Sequence, residues 1–275
     1  MIRIIIFLLI VALCGALDVW MHMAAGDLMP MPSAFSPLVN HFGFSTVAAV
    51  WIALAFTGMG LVFLFWARRM AGSGRAKGLR YGRALALVIL VAMFEGVGLL
   101  GSPLMGELAM GLADAVPIAL MIMLLGWTLA EGSGGAPGRV TLPVWPVLIV
   151  FALVYGVGRT GVQMLAIIDS GLAERLLPSL IWPFAMGVAV GVLYLALTDV
   201  MRGKSRTGAA LAFGVGIFGA NWVLFMAFVP MVFPDAALDS FLRVAIDILL
   251  VTGAALLVGN LPRAGFDRDS VADGR

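Results

Sequence analysis

Long apolar runs separated by short polar stretches dominate the chain. A helix needs about 20 predominantly apolar residues to cross the hydrocarbon core of a bilayer. Eight runs meet that requirement, roughly 4–24, 44–66, 84–102, 112–130, 143–164, 179–200, 208–230 and 240–260. The separators include GSGRAKG (72–78), EGSGGAPGR (131–139) and RGKSRTG (202–208), whose Gly, Ser and Pro read as turns. No stretch is long or polar enough for a soluble domain. The pattern therefore predicts an all-α polytopic bundle of about eight spans, one integral-membrane domain over 1–275, with 261–275 as a short polar tail.

Composition narrows the function classes. The chain is 62% apolar and 12% charged, with a mean hydropathy of +1.09. Soluble domains carry about half apolar and a quarter charged residues. A cytosolic enzyme, a secreted scaffold, a disordered tail and a nucleic-acid binder are excluded. The single Cys14 leaves no disulfide framework and no cysteine metal site. Two histidines in the whole chain exclude His-rich di-iron hydroxylases and haem bundles.

The distribution of basic residues orients the bundle. Arg68, Arg69, Arg75, Lys77, Arg80 and Arg83 fall in the second connection, Arg139 in the fourth, and Arg202, Lys204 and Arg206 in the sixth. Arg3 precedes the first run, and Arg263, Arg268 and Arg275 follow the last. Only Arg159, Arg175 and Arg243, of 17 Lys and Arg, fall elsewhere. Eight spans with both termini cytoplasmic, in an inner (plasma) membrane, fit this alternation. The first run has a second reading, since Arg3 followed by IIIFLLIVALCGA resembles a signal peptide cleaved after Ala16. The run continues through Leu17, Val19, Trp20 and Met21, long enough to span, and retention is the reading carried forward.

Eight spans invite a search for a duplicated half. LIVALCGALDVWMHM can be laid on VFALVYGVGRTGVQM, pairing Asp18 with Arg159 and His22 with Gln163. MPSAFSP (31–37) resembles LPSLIWP (177–183), and the third and seventh runs place Glu95 near Asn221. The second run starts well after MPSAFSP whereas the sixth nearly abuts LPSLIWP, so the alignment needs a gap of about a dozen residues there. An even number of spans per half would make the repeats parallel, four plus four.

Polar groups at membrane depth are costly unless paired or watered, so each is a functional candidate. Glu95, Asp114, Arg159, Asn221, Arg243 and Asp247 are such groups, and most converge on the outer half of the bundle. Arg243 and Asp247, four apart, are expected to share a face and pair. Arg159 with Glu95 is a second expected pair. Together these residues predict a polar cavity open to the extracytoplasmic side, lining a pathway for a small solute or ion. Structural ion pairs between helices are the competing reading. Asn221 is expected to face the bundle, because its amide is expensive against lipid.

The segment 18–41 is the most unusual. It carries Asp18, His22, Asp27, His41 and four methionines, Met21, Met23, Met29 and Met31, without a Lys or Arg. Asp18 and His22 share a helical face, so the carboxylate can orient the imidazole or bind the same ion. Thioether and imidazole together suit copper; imidazole and carboxylate also suit zinc. Asp18, His22, His41, Met21 and Met23 are the candidate ligands, and an interfacial plug is the alternative use of the same loop. The D-x3-H of Asp18 and His22 with the downstream His41 resembles the C subunit of particulate methane and ammonia monooxygenases. The resemblance covers about 25 residues, and eighteen residues separate His22 from His41 here, more than in that family.

Three functions remain open. A transporter or binding protein for a small solute or ion uses Glu95 and Asp247 for proton or cation coupling and Arg159 as a counter-charge. A metal-dependent (copper or zinc) enzyme or metal-handling protein uses the first outer loop. An assembly role, as a homo-oligomer or the non-catalytic subunit of a larger membrane complex, is the third. The transporter is preferred, with the lipid bilayer as the one certain partner.

Overall fold

The computed structural model describes residues 1–28, 34–130, 142–234 and 236–261. These residues contain no strand. Eight helical spans are long and apolar enough to cross a membrane: Ile2–Leu28, Phe44–Ala67, Gly74–Leu99, Leu104–Thr128, Val144–Met164, Leu176–Ala196, Arg206–Val232 and Ala237–Val258. The chain is thus an all-helical, multi-pass membrane bundle. EGSGGAPGR and all but the first residue of the expected 261–275 tail lie outside the described residues. So do Met29 and Met31.

Six spans lie within a few residues of the apolar runs, but two begin earlier. The third starts at Gly74 and the fourth at Leu104. Hydropathy misses the first turns of the third span because they carry Arg75, Lys77, Arg80 and Arg83. A helix still satisfies their backbone there; Arg75 and Arg83 are exposed, Arg80 pairs with Asp199, and Lys77 is buried. Ser73 starts this span by accepting a hydrogen bond from the Ala76 amide, and Ser205 does the same for the seventh with the Gly208 amide.

The order of neighbours around the bundle is first, second, seventh, eighth, fifth, sixth, third, fourth and back to the first. That ring maps onto itself when each span is exchanged for the one four places away. Finer features repeat with it. Trp51 Nε1 donates to the Leu224 carbonyl across the second–seventh contact, and Trp182 Nε1 donates to the Val91 carbonyl across the sixth–third contact. Phe63 meets Tyr81 edge to face, as Tyr194 meets Phe213. Close packing marks the contact of the third and fourth spans, where a Cβ on Gly78 would lie 2.8 Å from the Ile122 carbonyl oxygen.

Two spans are interrupted. The third breaks at Phe94 and resumes over Glu95–Leu99. The seventh passes through a π-helical segment, Gly214–Gly219, and breaks at Ala227 before Phe228–Val232. A π turn widens the helix and withdraws carbonyls from the regular ladder. Neighbouring side chains take up two of them, Trp66 Nε1 donating to Gly216 and Asn221 Nδ2 donating to Ile217.

Candidate functional site

The break at Phe94 sets Glu95 beside the fifth and eighth spans. Arg159 Nη2 donates to Glu95 Oε1 (2.7 Å), which fulfils the expected pairing of those residues. Arg159 Nη1 lies 3.1 Å from Asp247 Oδ1, an ion pair whose two members are both 0% exposed. Asp247 Oδ2 accepts from Trp222 Nε1 (3.0 Å). The Trp182 ring stands 5.6 Å from the guanidinium carbon of Arg159. One guanidinium thus bridges two carboxylates from different helices beneath an aromatic face.

The expected Arg243–Asp247 pair does not form among the described ion pairs. Arg243 instead reaches Glu95 (Nη1–Oε1 2.5 Å), Asp239 and the Asp169 carbonyl. The reason is helical geometry. Side chains lean toward the helix N-terminus, so Arg243 meets the residue four before it rather than the one four after. Two cations, Arg159 and Arg243, therefore share three carboxylates, Glu95, Asp239 and Asp247, at one end of the bundle.

Arg175 closes the same region from the side. Its Nε donates to the Gly98 carbonyl (2.7 Å) and its Nη2 to that of Leu99 (2.8 Å), satisfying the end of the interrupted third span. The remaining space is small. A hollow of about 10 Å³ is bounded by residues including Glu95, Gln163, Ser179 and Trp182. That is about the space of one water. This hollow is far smaller than the polar cavity expected from the sequence, with Glu95 and Trp182 in its wall. A larger hollow, about 110 Å³, lies at the opposite, basic end beside Tyr194, Arg202, Lys204 and Arg206.

The other candidates separate from this cluster. Asn221 is buried and faces the bundle as expected, but its Nδ2 donates to Tyr81 Oη (2.8 Å) and to the Ile217 carbonyl. Asp114 joins Asp18 and His22. His22 Nδ1 lies 3.0 Å from the Asp18 carbonyl oxygen and 3.4 Å from Asp18 Oδ2, and Nε2 lies 3.7 Å from Asp114 Oδ1. One ligand atom from each of the three fits within a mutual 4.8 Å. The remaining proposed ligands are elsewhere. His41 is exposed on the short helix Pro37–Phe42, its ring against Phe42, and Met23 is exposed on the first span. Among the described residues the metal-competent group is Asp18, His22 and Asp114.

Sequence reasoning missed Trp182, Trp222 and Asp239 around Arg159. Only Asp239 had a legible signal, four residues before Arg243. Glu107 was also missed; it is buried, with its carboxylate packed on Gly96 just past the break. Comparison of the chain with protein-family models, with curated proteins and with solved structures found no match.

Proposed function

We propose that the chain is a carrier of a small solute or ion in the plasma membrane. It is built as two parallel four-span repeats with both termini on the cytoplasmic side. The carrying observation is the pair of interrupted helices. Phe94 and Ala227 occupy corresponding places in the third and seventh spans, and a buried charge cluster sits at the first of these breaks. Interruptions at matching positions in two halves mark substrate sites in carriers, because only a broken helix offers backbone and side-chain polarity at membrane depth.

The register of the repeat follows from matched features. Trp51 corresponds to Trp182, Val91 to Leu224, Phe94 to Ala227 and Asp114 to Asp247. The pairing of Asp18 with Arg159 and His22 with Gln163 fits the same scheme, since Cys14, Gly15 and Asp18 are buried like Tyr155, Gly156 and Arg159. Two sequence likenesses do not fit it. Asn221 corresponds to Val88 rather than Glu95, and LPSLIWP runs inside the sixth span whereas MPSAFSP precedes the second. The distance from the capping serine to the break is one residue longer in the seventh span than in the third, and the π segment takes up that residue.

Arg80, one of the positive residues that orient the bundle, donates through Nη2 to Asp199 Oδ2 (2.6 Å) across the third and sixth spans. In the carrier reading Glu95 and Asp247 load and release the coupling ion, and Arg159 is the counter-charge. The closed outer hollow is the occluded form, which opens by movement at the breaks.

The test uses proteoliposomes on a solid-supported membrane, challenged with panels of small organic anions, zwitterions and inorganic ions. A charge displacement in wild type that Glu95→Gln removes, with the variant still monodisperse and folded, supports the carrier. Silence across the panel, or a response unchanged in Glu95→Gln and Asp247→Asn, overturns it.

A further inference from the structure

The two halves carry the same cluster with opposite chemistry. In the second half Arg159 stands against Asp247. In the first half the corresponding residues are Asp18 and Asp114, two carboxylates where the other half has a guanidinium and a carboxylate. His22 stands between them, Nδ1 3.4 Å from Asp18 Oδ2 and Nε2 3.7 Å from Asp114 Oδ1. Among the described residues no arginine takes the position of Arg159. Burial of two carboxylates at membrane depth is expensive without compensating positive charge. His22 supplies at most one such charge, and a bound cation or a proton on a carboxylate balances the rest.

The ligand atoms are open for a cation. Asp18 and Asp114 are both nearly fully buried, and Oδ1 of each lacks a hydrogen-bond partner among the described residues. His22 directs Nδ1 at the Asp18 carbonyl oxygen, which fixes Nδ1 as the protonated nitrogen and leaves Nε2 as the lone-pair donor toward Asp114. A ligand imidazole held by a backbone carbonyl on its far side is the usual outer-shell arrangement at metal sites.

We propose that Asp18, His22 and Asp114 form a binding site for a divalent metal of the zinc class, with water completing the coordination. Bonds of about 2.0–2.1 Å place tetrahedral ligands about 3.3 Å apart. The 3.7 Å between His22 Nε2 and Asp114 Oδ1 and the 4.8 Å limit for the whole set need only a small inward movement. One imidazole and two carboxylates, without a thiolate or thioether in the set, suit zinc over Cu(I). His22 is 34% exposed and supplies the way in, while the carboxylates stay buried. The site does not include His41 or Met23, both exposed. The ligand set stands on its own geometry; the register of the repeat supplies only the comparison with Arg159.

The experiment is zinc titration by calorimetry of tag-free, full-length protein in mild detergent, after removal of metal by chelator and exchange. Wild type is expected to bind one zinc ion, and Asp114→Asn and His22→Ala each to weaken it by about 100-fold or more, beyond the 10–100-fold of an outer-shell change. His41→Ala is expected to leave the affinity unchanged. Wild-type protein loaded with Co2+ keeps the test independent of whether the variants fold: intense visible absorption marks four-coordinate cobalt and supports the site. Wild type that takes up neither zinc nor four-coordinate cobalt overturns the proposal. So does zinc that persists in Asp114→Asn and disappears in His41→Ala. Zinc binding by a protein silent in every transport assay would retain this site and remove the carrier reading.

Discussion

In the proposed repeat Asp18 on the first span corresponds to Arg159 on the fifth, each buried near an aspartate from a neighbouring span, Asp114 on the fourth and Asp247 on the eighth. Around Arg159 the chain contributes both signs of charge, and the cluster is packed until only about one water fits. Around Asp18 it contributes two carboxylates and one partly exposed imidazole. In the repeat and the metal site proposed above, a guanidinium at one position makes a bolt, and a carboxylate at its counterpart makes a seat for a cation.

The largest effect is expected from removing the bolt. Arg159→Ala leaves Asp247 buried and Glu95 half-compensated. Loss of one partner of a buried pair costs about 3–5 kcal/mol. The expected outcome is a large fall in the thermal midpoint in detergent, with Arg159→Lys recovering part of it. A near-normal midpoint in Arg159→Ala would mean that water already reaches Asp247.

A smaller but more discriminating test converts one site into the other. Asp18→Arg combined with His22→Gln gives the first half the charges of the second. The double variant is expected to stay folded, with the introduced guanidinium paired to Asp114, and to bind no zinc. Collapse of this variant, while Asp18→Asn survives, would show that the two positions are not sterically equivalent.

The tryptophan pair tests the register with a still smaller effect. Trp51→Phe and Trp182→Phe each remove one hydrogen bond to a carbonyl beside a helix break, worth about 1 kcal/mol. Trp182→Phe weakens in addition the face over Arg159, a contact worth about 0.5–2 kcal/mol. It should therefore be the more destabilising of the two by unfolding measurements. Equal losses would remove Trp182 from the charge cluster. The smallest effect is expected from His41→Ala and Met23→Leu, both at exposed positions, within about 0.5 kcal/mol.

Much of the bundle was legible because the bilayer allows so few solutions. Eight apolar runs had to be eight helices, and only the ends were misjudged, where Arg75, Lys77, Arg80 and Arg83 hid the first turns of the third span. Arg159 with Glu95 was legible for a similar reason, since each charge at depth needs a partner and few exist. Arg243 went to Asp239 rather than Asp247 because side-chain lean along a helix decides between two carboxylates at equal spacing. Asp114 joined Asp18 and His22 across a contact between the first and fourth spans that no local pattern announces. The tryptophans over and beside Arg159 were illegible as well. An aromatic residue in an apolar span reads as lipid-facing until its neighbours are known.

The wide turn at Gly214–Gly219 has a bearing on how such a chain tolerates changes in length. A residue added to a regular helix turns everything beyond it by about 100°, so that core-facing groups would swing toward lipid. Here the surplus residue is confined to one loosened turn, whose freed carbonyls are held by Trp66 and Asn221. Trp222 beyond it still meets Asp247. In the proposed repeat the seventh span therefore acts as a slip joint, which lets one half carry an extra residue while the two halves stay in step.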